Sequence, residues 1–170
     1  MYGYMGKILD VDLSSQSIKD VPLDEKDAEL FVGGSGLACK IMLDRLGVDI
    51  GRIDPLSPEN MLIFMTGPLT GTRVLSSGRF EVCAKSPLTG GWGEANCGGK
   101  FGPYLKFAGY DGVIIRGKAE KPVYLDVNNG TASLKSADHL WGSGTYETQK
   151  ILKDEIGERR MCASIPDRSL

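Results

Sequence analysis

A chain of 170 residues, 41% apolar and 25% charged, is long enough to bury one core and has the balance of a globular domain. A net charge of −2 with interspersed signs removes the electrostatic case for nucleic acid or an anionic membrane as partner. No apolar run approaches the roughly 20 residues needed to cross a bilayer. The start, MYGYMGKILDVDL, lacks a basic segment followed by an apolar block, so no secretory leader is expected and the chain reads as cytoplasmic.

KILDVDL (7–13) alternates apolar and polar residues, SSQS turns, and IKDVP extends again, which predicts an opening β-hairpin. LDEKDAELFV follows with Asp24 as N-cap and acids in the first turn, stopping at Gly33-Gly34. GLACKIMLDRL puts Leu37, Ile41 and Leu43 or Asp44 at helical spacing, a second short helix. IDPLSPEN is turn chemistry. MLIFM (61–65) suits a buried strand, and RFEVCAK (79–85) alternates like a second one.

In GGKFGPYLKFAGYDG, Pro103 fits the first turn of a helix, with Leu105 and Phe107 or Ala108 inside and Gly109 as its stop. GVIIRG is another short strand, and PVYLDV-NNG-TASLK is a hairpin signalled by Asn-Gly. TYETQKILKDEIG reads as a helix capped by Thr145, lined by Ile151, Leu152 and Ile156, and ended by Gly157. RRMCASI then starts like a strand. Short strands mixed with short helices, without regular βαβ alternation, argue an α+β fold in a single domain over 1–170.

Two features stand out. The tetrapeptide PLTG occurs at 68–71 and again at 87–90, each time after a predicted strand, which suggests a pseudo-duplicated arrangement or a chance reuse of common turn residues. The 23 glycines are about twice the roughly 7% usual share. Their excess lies between Gly67 and Gly117, where backbone must turn at positive φ or come close to something.

The chemistry in that region is a cradle. Gly98 and Gly99 precede a predicted helix, whose first-turn N–H groups can face an anion. Arg79 offers a planar fork for phosphate oxygens, and Asn96 can donate and accept at a heterocycle edge. Nucleotide motifs of the G-x-x-x-x-G-K-[ST] or strand–G-x-G-x-x-G kind are absent. Cys39, Cys83, Cys97 and Cys162 form no C-x-x-C pair and read as small buried hydrophobes. His139 beside Trp141 reads as packing or turn, Trp92 and Trp141 as core or rim, and Asp111 as a turn acceptor. Glu81 and Glu94 have no fixed geometry for acid–base work, and no catalytic or metal-ligating residue is assigned.

ENMLIFMTGPLTGT, SSGRFEVCAKSPLTGG, EANCGGKFGPYLKFAGYDGVIIRGKAEKPVYL and ADHLWG closely resemble the N-terminal domain of the tungsten-dependent aldehyde ferredoxin oxidoreductases, as do MYGYMGKILDVDL and DPLSPEN. The resemblance spans the chain to about Cys162. It implies two β-sheets forming a base for a bis-pyranopterin cofactor, whose dithiolene sulfurs hold tungsten or molybdenum without protein ligands. It assigns Arg79, Asn96 and Gly98 to cofactor binding, with Cys97 and Gly99 beside them. It also implies oxidation of an aldehyde to a carboxylic acid, with electrons leaving through a [4Fe-4S] cluster to ferredoxin.

The cluster, the aldehyde pocket and later helical domains of the family have no counterpart in these residues. Cys97 stands where Ser is usual, Lys100 where an aromatic is frequent, and Ser35 where the family has Arg. After Cys162 the pattern gives way to SIPDRSL, as a truncating frameshift would produce. A domain without its partner domains leaves apolar surface uncovered, so a homodimer or aggregation is expected. The alternative reading is a stand-alone, non-catalytic pterin-binding or interaction protein derived from the domain.

Overall fold

The computed structural model describes residues 2–157; the expected strand at RRMCASI and Cys162 lie outside the described residues. Strands β1 (Lys7–Asp12), β2 (Ser17–Pro22), β3 (Met61–Met65), β4 (Phe80–Lys85), β5 (Trp92–Cys97) and β6 (Gly112–Arg116) form one sheet in the order β2-β1-β6-β3-β4-β5. Only the β1–β6 pair in it is parallel. A second sheet is the hairpin β7 (Val123–Asn128) and β8 (Thr131–Ser136). Helices α1 (Glu25–Phe31), α2 (Gly34–Leu46), α3 (Phe101–Phe107) and α4 (Thr145–Ile156) complete the α+β fold expected from the sequence, two sheets with short helices.

Period-two patterning sorts the strands' side chains into two cores. Ile8, Met61, Ile63, Met65, Cys83 and Ile114 face α1 and α2, meeting Ala28, Leu37, Ala38 and Met42. Leu9, Val11, Phe64 and Val113 face the other way, toward α3 and the β7–β8 hairpin, with Leu105, Tyr110, Leu125 and Leu134. The main sheet is therefore a middle layer. Phe101 anchors α3 on it, its ring centroid 4.8 Å from Phe80 and 5.7 Å from Phe64. Such ring pairs add about 0.5–1.5 kcal/mol beyond the area they bury.

Most local expectations hold. Asp24 caps α1 by accepting from Lys26 N (2.8 Å) and Asp27 N (3.1 Å). The β7–β8 turn places Asn129 and Gly130 at φ 47° and 80°, the primed geometry that matches strand twist. Four details differ. Gly144, not Thr145, is the N-cap of α4, because Thr145 already lies inside the helix. Leu43 is half exposed while Ala38 and Met42 turn inward, and Phe107 faces solvent while Leu105 packs. Strand β5 was not foreseen. Finally, β3 and β4 run antiparallel, so the two PLTG turns sit at opposite ends of one sheet. They share turn chemistry, ending in Gly71 and Gly90 at φ 80° and 70°, without a duplicated sheet behind them.

At the end of β4 nearer the second PLTG, Lys85 is buried without a carboxylate partner among the described residues. Its ammonium donates to Ile50 O (2.7 Å), Gly51 O (3.0 Å) and Ile53 O (2.7 Å) of the 3-10 turn Gly47–Gly51 and the residues after it. Three donors meet three carbonyls, so the charge is buried with full hydrogen bonding.

Candidate functional site

The first PLTG turn, the start of β4, the end of β5 and the α1–α2 junction enclose a cleft of about 290 Å³. Its floor is Met65 and Thr66, both buried, and its walls carry Val32 and Gly34 on one side and Gly67–Thr70 on the other. Ser76, Ser77, Arg79, Glu81 and Asn96 supply its polar groups.

Strand register explains the polar cluster. Glu81 lies directly opposite Asn96 in the β4–β5 ladder, so both side chains project from the same face. Asn96 Nδ2 donates to Glu81 Oε1, which turns the amide oxygen of Asn96 toward Arg79. Arg79 Nε donates to that oxygen, and its Nη2 donates to Asn96 O at 3.3 Å. The guanidinium carries five N–H donors, so those not used on Asn96 remain for an anion in the cleft. Glu81 thus acts on the site by fixing which way Asn96 points.

Of the five residues assigned to cofactor binding, Arg79 and Asn96 meet at the cleft. Gly98 lies against the guanidinium: a Cβ there would stand 3.3 Å from Arg79 Nη1. Cys97 lies opposite Phe80 and so projects from the other face of the sheet, its exposed thiol donating to Gly98 O at 3.5 Å. Gly99, at φ 103°, lies outside the cleft lining and packs its carbonyl on Gly78. Helix α3 has seven residues, and its N-cap, Lys100, makes no side-chain cap.

The α1–α2 junction was missed by sequence reasoning. Val32 has φ 62° and ψ −55°, and Gly33 N donates to Phe31 O at 2.7 Å across it, a γ-turn of the strained hand. A β-branched residue with positive φ is rare. Gly33 is required next to it: a Cβ would stand 2.6 Å from Thr66 O and 2.8 Å from the Cα of Gly67. The Gly33-Gly34 pair, read only as a helix stop, was the available signal.

Asp111 does more than accept in a turn. It is buried, accepts from Lys106 Nζ (2.7 Å), Met5 N (3.0 Å) and Gly6 N (2.7 Å), and its carbonyl accepts from Thr66 N (2.9 Å) and Thr66 Oγ1 (2.6 Å). His139 pairs with Glu155 at 2.9 Å, away from the cleft residues. Trp92 donates to Glu94 at 3.0 Å. Among the described residues no group of three or more His, Cys, Asp or Glu side chains is placed to hold a metal, and no helix is long and apolar enough to cross a membrane.

The family model of the aldehyde ferredoxin oxidoreductase N-terminal domain matches residues 8–167. The chain belongs to that family. It is 45% identical over 161 residues to the tungsten-containing aldehyde ferredoxin oxidoreductase of Pyrococcus horikoshii, covering 95% of this chain and 26% of the relative. It is 42% identical over 158 residues to the aliphatic sulfonate oxidoreductase WOR-like subunit of Pyrococcus furiosus, covering 93% and 25%. Among solved structures it resembles the active site complex BamBC of benzoyl coenzyme A reductase in complex with 1,5-dienoyl-CoA. That match has a TM-score of 0.89 and 42% identity, and covers 94% of this chain and 24% of the other. The family match thus covers most of this chain, while the chain spans about a quarter of the length of the relatives it matches.

Proposed function

We propose that this domain seats a tungsten bis-pyranopterin cofactor in an aldehyde:ferredoxin oxidoreductase, with Arg79 and Asn96 holding one phosphorylated pterin arm. The observation that carries the reading is the junction of Arg79 and Asn96, from two adjacent strand ends, at the mouth of one cleft.

The residues present suit such a group. A guanidinium with spare donors matches phosphate oxygens, and Ser76 and Ser77 add hydroxyls beside it. Gly34 and Gly67 keep the walls free of side chains, which lets a flat ring approach main chain. A cleft of about 290 Å³ lies near the lower limit of small-molecule sites, roughly 300–1,000 Å³, so it suits one arm of a two-armed cofactor. The absence of a protein ligand cluster among the described residues is compatible with a metal held by pterin sulfurs. When bound, the cofactor supplies the two-electron redox chemistry.

The protein's share is orientation and electrostatics. Glu81 holds the Asn96 amide, Asn96 holds the Arg79 fork, and the fork faces the anion. Metal choice between tungsten and molybdenum follows the family, in which tungsten is named for the relative from P. horikoshii. Aldehyde as substrate, a [4Fe-4S] relay and ferredoxin as acceptor are proposed for the whole oxidoreductase, in a cytoplasmic setting, and depend on sequence outside these residues.

Arg79→Ala in the complete protein, produced in a tungsten-supplied anaerobe, is the test. Loss of a charge-assisted contact worth about 1.5–3 kcal/mol weakens binding roughly ten- to a hundredfold, so tungsten content by elemental analysis and pterin fluorescence after oxidation are expected to fall markedly. Content equal to wild type would refute the assignment.

A further inference from the structure

The segment Gly3–Gly6 runs beneath both walls of the cleft and touches each. On one side the Tyr4 hydroxyl shares its single proton between Val32 O at 2.6 Å and Ala28 O at 3.2 Å, clamping the strained γ-turn that forms the α1–α2 wall. On the other side Gly3 lies so close to the first PLTG turn that a Cβ would stand 2.6 Å from Pro68 O. Below, Gly3 O accepts from Lys106 Nζ at 2.6 Å, and Met5 N and Gly6 N donate to Asp111.

The same buried pair reaches the cleft floor. Lys106 and Asp111 are 4% and 1% exposed, and the Asp111 carbonyl holds Thr66 through both its N–H and its hydroxyl. Thr66 O in turn accepts from Gly34 N at 3.0 Å, which ties floor to wall. One continuous network therefore runs from Tyr4 through Val32 and Gly34 to Thr66, Asp111, Lys106 and back to Gly3. Burial and the nearby Asp111 carboxylate raise the Tyr4 hydroxyl above its ordinary pKa, so it remains a donor at neutral pH.

We propose that the N-terminal arm Gly3–Gly6 sets the separation of the two cleft walls, and that Tyr4 is a positioning residue for the group bound there. The second half rests on the cofactor reading above; the first does not. A strained turn persists only where its surroundings over-determine it. Among the described residues Tyr4 is the side chain whose hydrogen bond reaches Val32, and removing its hydroxyl frees the wall without emptying the core.

The test is Tyr4→Phe in the complete protein, with Tyr110→Phe as the matched deletion. Tyr110 likewise shares its single O–H proton between two acceptors, Asp20 Oδ1 (3.0 Å) and Gly130 O (2.9 Å), but on the hairpin side of the sheet. Two readouts are taken: amide hydrogen exchange at Gly33, Gly34 and Thr66 in cofactor-free protein, and tungsten and pterin retained per protein after dialysis. In Tyr4→Phe, exchange at these amides is expected to speed up roughly three- to tenfold, the scale of one lost net hydrogen bond, with retention falling by a similar factor. Tyr110→Phe is expected to change neither.

Unchanged exchange in Tyr4→Phe overturns the proposal whatever the cofactor content. Faster exchange with wild-type retention overturns the positioning role. If both Tyr variants lose tungsten alike, the effect is general destabilisation and the proposal fails. Faster exchange in a protein whose wild type carries neither tungsten nor pterin refutes the cofactor reading, while the wall-setting role of the arm stands.

Discussion

The Cys83 thiol is fully buried in the core that β3, β4 and β6 share with α1 and α2, and burial, helped by the nearby Glu81 and Glu94 carboxylates and by Cys39, pushes its pKa up from 9.0 to about 12. The folded state therefore holds this proton more tightly than the unfolded chain does. Its contribution is fully present below pH 9 and is lost as pH rises from 9 toward about 12, where unfolding releases a proton that the native state retains. Tyr4 and Tyr110, also raised chiefly by burial, act in the same direction. The denaturant midpoint should fall between pH 9 and 11, and Cys83→Ala should make that decline shallower; an identical slope would remove Cys83 as a contributor. Thiol reagents at neutral pH should modify exposed Cys97 and leave Cys83 untouched until unfolding.

Helix ends show the same economy of causes at the next scale. Asp24 satisfies two orphan amides of α1, whereas Gly144 offers α4 no side-chain cap. Asp24→Ala should cost about 1 kcal/mol, and Gly144→Asp should gain a few tenths to about 1 kcal/mol from capping and the helix dipole. Gly144 has ordinary backbone angles, φ −70° and ψ 165°, and open space around a new Cβ, so nothing opposes the substitution. Chemical denaturation of the two variants reads both effects, and opposite signs are the expected outcome.

Strand β5 shows where element-level reading fails. Trp92–Cys97 is an edge strand exposed on both faces, so no core imposes alternation on it and no apolar periodicity announces it. Its neighbours were legible because each buries one face: Ile63 and Cys83 toward α2, Phe64 toward α3. The consequence reached the site. Without β5, Asn96 and Cys97 read as adjacent loop contacts; the pleat separates them, sending Asn96 into the cleft and Cys97 to the opposite face.

For the molecule as a whole, chemistry was easier to read than placement. Arg79 and Asn96 stand out by donor geometry and by resemblance, and the fold does bring them together. Glu81, Val32 and Thr66 could not be found that way, since their roles come from cross-strand register, a γ-turn and a carbonyl supplied from Asp111. Asp111 was read as a turn acceptor because sequence cannot show that Lys106 and the arm converge on it from opposite directions. Breaking such a buried pair by removing one partner ordinarily costs 3–5 kcal/mol, roughly half of a marginal domain's stability.

Lys85 leads to one practical outcome. An amine buried with three carbonyls around it is out of reach of an acylating reagent, so acetic anhydride should skip it in intact molecules and mark it only in those that have opened. Peptide mass mapping of acetyl-Lys85 against an exposed amine such as Lys26 would then count native molecules in any preparation. Equal labelling of the two amines in freshly folded protein would contradict the tripod.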